Sequence, residues 1–442
     1  MIKKFFFRKS SNKKYQNRKN LDDFDEYKII KTLQKEYDEV FIIKTNTKIK
    51  SNDFIEHQET INYTTEYLVR VLNFQKNEIK QKITILNDLK NLTYALKNVE
   101  FNTIEGSFFS SKSVKKVDNN FSRKLRNSSE YLNDLDKASK DKKIKSIETS
   151  YVEATEEVFN ENSYYKYSYN DFIISYYLVH GTGSLSFNHS FPYLHLDKIL
   201  QKLDDDLKEV DFVAKQRSID LSKVKVVKFS PSLFHHFASE LIFESLRDAN
   251  IYKNLTFLNE NVEVSDQLKF FDVPFKGMNN LNYDFEFTKV QPHNILKNGK
   301  FSPFVSKFYL SALRHKFKNS NLDVSLYGHY FGTTSYRNLF MQSMPKKHEW
   351  YNFYNPSQLA EEDTLVIDSV MGLHTANSKT TDFSVVIDNA YFNNTYTQGQ
   401  ILSGNLLKLL KNIIIGKEVE LNSDYRMHSV SFSSKDLNLV QN

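Results

Sequence analysis

The 442-residue chain contains no cysteine. Disulfides, thiolate metal sites and cysteine nucleophiles are therefore excluded. Glycine (11), proline (7) and tryptophan (1) are scarce. The scarcity removes most of the punctuation by which turns are read. It fits an AT-rich coding sequence, heavy in Lys, Asn, Ile, Phe and Tyr, better than a functional demand. No apolar run reaches the roughly 18 residues of a transmembrane helix. The opening MIKKFFFRKSSNKK offers only a short phenylalanine run, too brief for a signal peptide, with no small-residue cleavage site after it. A cytoplasmic protein without membrane association is expected.

The familiar catalytic loops are missing too. There is no Walker-type loop, no GxGxxG and no GxSxG elbow. None of the 12 histidines begins HExxH or HExxxH, and the one His-Glu pair, His348-Glu349, has Asn352 and Phe353 where a second imidazole would stand. His235 and His236 are adjacent on a predicted helix, so their side chains diverge by about 100° and do not chelate one ion. They are expected to be structural. Asp204, Asp205 and Asp206 suggest a cation site at first sight. They are expected instead to form the solvated face of a helix.

What is present describes a globular protein: 40% apolar and 26% charged residues. The net charge is +6, but residues 1–20 hold eight basic side chains and no acid. The remaining 52 basic residues face 54 acidic ones, leaving the body close to neutral. A basic tail on such a body reads as a solvated arm, not as a nucleic-acid groove.

Residues 21–37 predict a helix, with Phe24, Tyr27, Ile30 and Leu33 about three apart. EVFIIKTNTKIK, INYTTEYLVRVLNF and EIKQKITIL predict a strand meander, and Leu89, Leu92, Leu96 and Val99 a following helix. Residues 107–147 are Ser-, Asn- and Lys-rich and predict a polar surface insert, or for 130–147 the solvated face of a helix. From 150 strands return in YKYSYNDFIISYYLV and SLSFNHSF. A helix follows with Leu196, Ile199, Leu200, Leu203, Leu207 and Val210 on one stripe. KVKVVKFSP is a short strand, and PSLFHHFASELIFESLRDA a helix with Pro231 in its first turn. The last predicted helix is SGNLLKLLKNIII, capped by Ser403 or Asn405. The fold class is α+β in two domains: a basic tail at 1–20, an N-terminal helix and strand-meander domain at 21–220, and a mostly β C-terminal domain with flanking helices at 221–442.

The last hundred residues carry a more specific signal. DSVMGLH (368–374), TDFS (381–384), NAY (389–391) and GQILSGNLL (399–407) resemble the C-terminal signature of the TldD/PmbA family. Upstream, YDFE (283–286), NGKF (298–301) and GTTSYR (332–337) resemble further family segments, and VFIIKTNTKIK and TTEYLVRVLNF its first-domain strands. Asp382 suits a turn before the alternating strand FSVVIDNAYF, and Gly404 a close backbone approach.

The resemblance implies one of two subunit types. TldD-type chains carry HExxxH on one helix, bind zinc and add a cysteine ligand; TldE (PmbA)-type chains lack these. In PSLFHHFASELIFESL the motif-equivalent positions are Ser239, Glu240 and Glu244, so no zinc and no other cofactor is expected in this chain. Glu240 resembles a retained base without a metal-activated water to act on. The implied function is a non-catalytic subunit of a TldD/TldE-like metallopeptidase complex that processes unfolded peptides. A TldD-type zinc subunit would be the partner in a heterodimer or larger assembly, and Gly372, His374, Asp382 and Phe383 would lie near the peptide. The alternatives are a stand-alone peptide-binding or scaffold protein, or a hydrolase built around His235, His236 and Glu240.

Overall fold

A computed structural model of the protein describes residues 24–441, except 77, 106–116, 121–127, 192–195, 216, 260–261, 263, 273–282, 285, 289–291, 317–324, 327–338, 344–358, 360, 394 and 422–424. The basic tail, much of the polar insert and the loop 332–337 lie outside the described residues.

The architecture is α+β, built on two large sheets. The first comprises β1 (Glu39–Asp53), β2 (Gln58–Gln75), β3 (Glu78–Leu86), β4 (Asn102–Glu105), β5 (Val117–Asn120), β6 (Ile144–Phe159), β7 (Tyr164–His180) and β8 (Gly183–Phe191). Its order is β4-β3-β2-β1-β6-β7-β5, with β8 also on β7. The predicted meander is present: β1, β2 and β3 pair antiparallel in sequence. Helix α1 (Asp25–Leu33) buries Tyr27, Ile30 and Leu33 at the predicted spacing. With Leu92 and Leu96 of α2 (Leu92–Asn98), it covers Val40, Ile42, Val69 and Val71.

Strand β6 departs from expectation. It begins at Ile144, inside the stretch read as polar insert or helix face, and runs down the middle of the sheet. IKSIETSYVEATEEVF looks unlike a strand because glutamate is disfavoured there. Opposite charges across the ladder accommodate it: Glu157 faces Lys44, and Glu153 faces Lys48 with the charged atoms 3.4 Å apart. Helix α3 (Ser128–Ala138) precedes it.

Helix α4 (Leu196–Val213) follows β8 and packs Ile199, Leu203 and Val210 on Ile147, Ile174 and Leu178 of the first sheet. The second sheet contains β9 (Val226–Phe229), β10 (Phe270–Asp272), β11 (His293–Lys297), β12 (Lys300–Phe301), β15 (Leu339–Met341), β16 (Thr364–Met371), β17 (Asp382–Phe392), β18 (Thr395–Thr397), β19 (Ile401–Asn405), β20 (Ile414–Leu421), β21 (Tyr425–Ser433) and β22 (Asn438–Val440). Its order is β12-β11-β10-β15-β21-β9-β16-β17-β19-β22, with β18 on β17 and β20 on β21; β13 (Phe304–Val305) and β14 (Ser325–Leu326) pair separately. Helices α5 (Pro231–Phe237), α6 (Asp248–Tyr252) and α7 (Lys307–Lys316) accompany it.

The two sheets share one core. Phe41, Leu72 and Tyr165 of the first belong to the same buried cluster as Phe229, Phe308 and Ile367. A fully buried ion pair ties them: Arg70 of β2 donates to Glu286, with neither side chain exposed. Arg70 also donates through Nε to Gln81 at 2.9 Å and lies over the Phe308 ring, 4.8 Å from its centroid.

The predicted last helix is shorter than expected. α8 is Leu406–Leu409, capped by the Asn405 side chain, which accepts from the Lys408 amide at 3.0 Å. Ile414 already belongs to β20. The apolar repeat is real, since Leu406, Leu409, Leu410 and Ile413 are buried, but the β-branched run of Ile413, Ile414 and Ile415 favours strand.

Candidate functional site

The site begins where β9 ends. Ser230 caps α5 by accepting from the Leu233 amide at 3.2 Å, and Pro231 takes the first helical position, where its missing N–H costs nothing. α5 does not simply continue. Residues Ala238–Phe243 form a π turn, closed by the Glu244 amide donating to the Ser239 carbonyl at 3.0 Å. In an α-helix, residues five apart diverge by about 140°. The i to i+5 bond of a π turn brings them back toward one face. Ser239 and Glu244, the motif-equivalent pair, have this spacing.

Neither residue is dressed as a metal ligand. Ser239 Oγ lies 3.3 Å from His235 Nε2. Glu244 pairs with Arg247 at 3.0 Å and accepts from Asn250 at 3.1 Å. Glu240 is exposed. His235 stacks on Tyr425, with ring centroids 4.0 Å apart and planes 20° apart. Burial, aided by the neighbouring His236, depresses the His235 imidazole to about 3, so it is neutral at physiological pH. His236 is exposed. Among the described residues, no three or more His, Asp or Glu side chains are grouped to hold a metal ion. The residues present do not fit the family's zinc.

Tyr425 leads to a second feature that sequence reasoning missed. Its hydroxyl donates to Glu420 at 2.5 Å. Beyond Glu420 lie Asp368 at the end of β16 and Lys202 and Asp206 of α4. Lys202 bonds to Asp206 at 2.6 Å, and the Tyr176 hydroxyl donates to the same carboxylate at 2.6 Å. The polar side of α4 thus meets the second sheet while its apolar side covers the first.

Asp206 is buried, which corrects the reading of 204–206 as a solvated face. Helical rotation separates the three: Asp204 is exposed, while Asp206 sits beside the stripe of Ile199, Leu203 and Val210. The i, i+4 spacing of Lys202 and Asp206 was the available signal.

The electrostatics follow from crowding. Burial pushes the Glu420 carboxyl up to about 7, against the opposing bond from Tyr425. Burial likewise raises Asp368, against the Ser230 hydroxyl and Lys202. Asp368 keeps part of its surface accessible, yet protein surrounds it closely enough for desolvation to dominate. Desolvation alone would depress the Lys202 ammonium; Asp206, Asp368 and Glu420 outweigh it and hold Lys202 above its ordinary value. Several carboxylates around one ammonium favour retention of a proton. The cluster can store and exchange protons.

The four peptide-site candidates divide. Gly372 has φ 88° and caps the short turn Leu373–Thr375, while His374 is exposed. A Cβ at Gly372 would touch nothing within 4 Å, so its backbone conformation is what calls for glycine. Asp382 is exposed at the start of β17 and accepts from Asn405 at 2.8 Å. The Thr380 hydroxyl and Asn405 hold its carboxyl below the ordinary range. Phe383 points the other way. It is 4% exposed and meets Phe237 edge-on at 4.9 Å. Gly404 makes room for it, since a Cβ there would lie 3.1 Å from the Phe383 ring and 3.0 Å from Leu437.

Residues 222–437 match the PmbA/TldA metallopeptidase C-terminal domain. No curated protein gives a significant match. Solved structures resemble the whole chain. A Thermotoga maritima protein described as a candidate modulator of a DNA gyrase is 17% identical with a TM-score of 0.65, covering 94% of this chain and 99% of its own. TldE from Thermococcus kodakarensis is 14% identical with a TM-score of 0.63, covering 94% and 100%. A candidate DNA gyrase modulator from Bacteroides thetaiotaomicron is 16% identical with a TM-score of 0.60, covering 95% and 100%.

Proposed function

We propose, from the premise that this chain is a TldD/PmbA-family protein of TldE-like type, that it serves as the non-catalytic subunit of a heteromeric metallopeptidase. A TldD-type partner would bring the zinc and cleave. This chain would form the opposite wall of a cavity that holds an unfolded peptide, with Gly372, His374 and Asp382 on its rim and Phe383 supporting that rim from the core.

The observation that carries the reading is the π turn. Its i to i+5 spacing is the one an HExxxH helix needs, yet serine and glutamate stand at the two ends and both are engaged within the protein. A metal peptidase needs a metal-activated water, and a carboxylate such as Glu240 is no substitute for the ion. Recognition of peptide backbone at a strand edge would tolerate many sequences, as a subunit handling unfolded chains requires.

The test is co-expression with the TldD-type chain of the same organism, followed by sizing, metal analysis and peptide digestion with and without chelator. The expected result is a stable complex with zinc in the partner and chelator-sensitive digestion. A chain that stays monomeric beside that partner, or that binds stoichiometric zinc alone, would overturn the assignment.

A further inference from the structure

Beyond the reach of α4, the face of the second sheet that carries Val366 and Tyr391 is open. Cross-strand register aligns Met371 of β16 with Val386 of β17, Val386 with Ile401 of β19, and Ile401 with Val440 of β22. Directly paired residues share a face, so the four make one apolar row. Met371 is 54% and Val440 44% exposed, and Val386 and Ile401 are half-buried. Their neighbours one pleat along, Ser384, Ser403 and Asn438, are paired in the same way and carry no charge. The row ends at β22, the last strand in the sheet order among the described residues.

The opposite flank is acidic. Asp388 is exposed, two residues from Val386, and accepts from Ser369 Oγ at 3.1 Å. Its charge reaches Asp368, which adjoins Asp206 in the α4 junction. Lys202, the ammonium of that junction, is already bonded to Asp206. The row therefore runs from a negative rim to an open strand edge. An apolar surface flanked by uncompensated carboxylates complements a ligand with aliphatic groups and a positive charge.

We propose that this face docks an extended peptide segment, laying aliphatic side chains on the row of Met371, Val386, Ile401 and Val440 and turning a cationic group toward Asp388. The inference rests on the peptide-handling reading above and narrows its substrate class to segments that combine aliphatic and basic residues. Alternation along an extended chain lets aliphatic residues share one face while the row itself stays uncharged.

The test uses the full-length chain and two fluorescein-labelled peptides of alternating Val and Thr, one with a central Lys and one with Glu in its place. Anisotropy is expected to show the Lys peptide bound about tenfold more tightly, and the ratio to collapse in Asp388→Asn. Val386→Thr with Ile401→Thr is expected to weaken both peptides about fivefold or more. The two peptides on the unaltered chain give a result even if a variant misfolds, and Val440→Thr offers a mild change at the exposed edge. Equal binding of the two peptides, or folded variants that bind as the parent does, would overturn the proposal. So would a Val440→Glu change that only converts a dimer of this chain to monomer, since a second copy would then be the occupant. If the TldD-type complex forms while the peptides fail to discriminate, this surface falls and the subunit assignment stands. Discrimination without complex formation leaves the reverse.

Discussion

Removing the guanidinium of Arg70 is expected to cost more than any surface change in the chain. Arg70 and Glu286 are both completely buried. Arg70→Ala leaves the Glu286 carboxylate without its counter-ion in a site water does not reach, which typically costs about 3–5 kcal/mol. Loss of the Gln81 bond and of the contact with the Phe308 ring adds to this. Replacing both partners by apolar residues of similar volume, Arg70→Met with Glu286→Leu, removes the stranded charge along with the pair. It is expected to recover most of the loss, with a coupling of about 2–3 kcal/mol in the double-mutant cycle. Urea unfolding followed by fluorescence measures each corner. Because the pair joins the two sheets, Arg70→Ala should also broaden the transition or split it in two. A single variant within about 1 kcal/mol of the parent, unfolding in one step, would refute the reasoning.

Three further outcomes follow from other sites. The folded Glu420 carboxyl titrates near 7 against an ordinary value of 4.5, so the fold retains a proton that the unfolded chain releases. Its contribution is neutral below pH 4.5 and increasingly unfavourable as pH rises toward 7; Glu420→Gln should match the parent in acid and exceed it by roughly 2–4 kcal/mol above pH 7, read from melting temperature against pH. Gly404→Ala must press on Phe383 and Leu437, and should cost about 1–3 kcal/mol by denaturant melts, with Phe383→Ala partly relieving it. Ser239→His with Glu244→His places two imidazoles at the ends of the π turn and should confer measurable Zn²⁺ binding by calorimetry; no binding would place the motif positions elsewhere on the helix.

Much of the fold was legible because apolar spacing is a local signal. Tyr27, Ile30 and Leu33 announce α1, the α4 stripe is read directly, and the meander is written in the alternation of β1 to β3. The register of Asp382 before an alternating strand was likewise visible, and β17 begins there. β6 was hidden because its suitability depends on Lys44 and Lys48 of another strand. The length of α8 was hidden because a leucine repeat does not say when the ladder of β20 takes over. Arg70 and Glu286 lie 216 positions apart, and no spacing rule connects them. Asp206 was misread when three consecutive acids were treated as one surface, although helical rotation sends each in its own direction. The peptide-site candidates came from a resemblance, and sequence alone did not show that Phe383 and Asp382 point to opposite faces. The acidic junction needed α4 and two distant strands to be brought together.

The π turn has a consequence for insertions and deletions. It holds one residue more per turn than the helix leading into it. Deleting a single residue within 238–243 would let the chain close as ordinary α-helix, and everything downstream would swing by about 100° relative to α5. Glu244 would leave the face it shares with Ser239, and Arg247 and Asn250 would lose their partner. Register in this segment is thus kept by a count of residues more than by their identity, so a length change there would be felt where many side-chain substitutions would not.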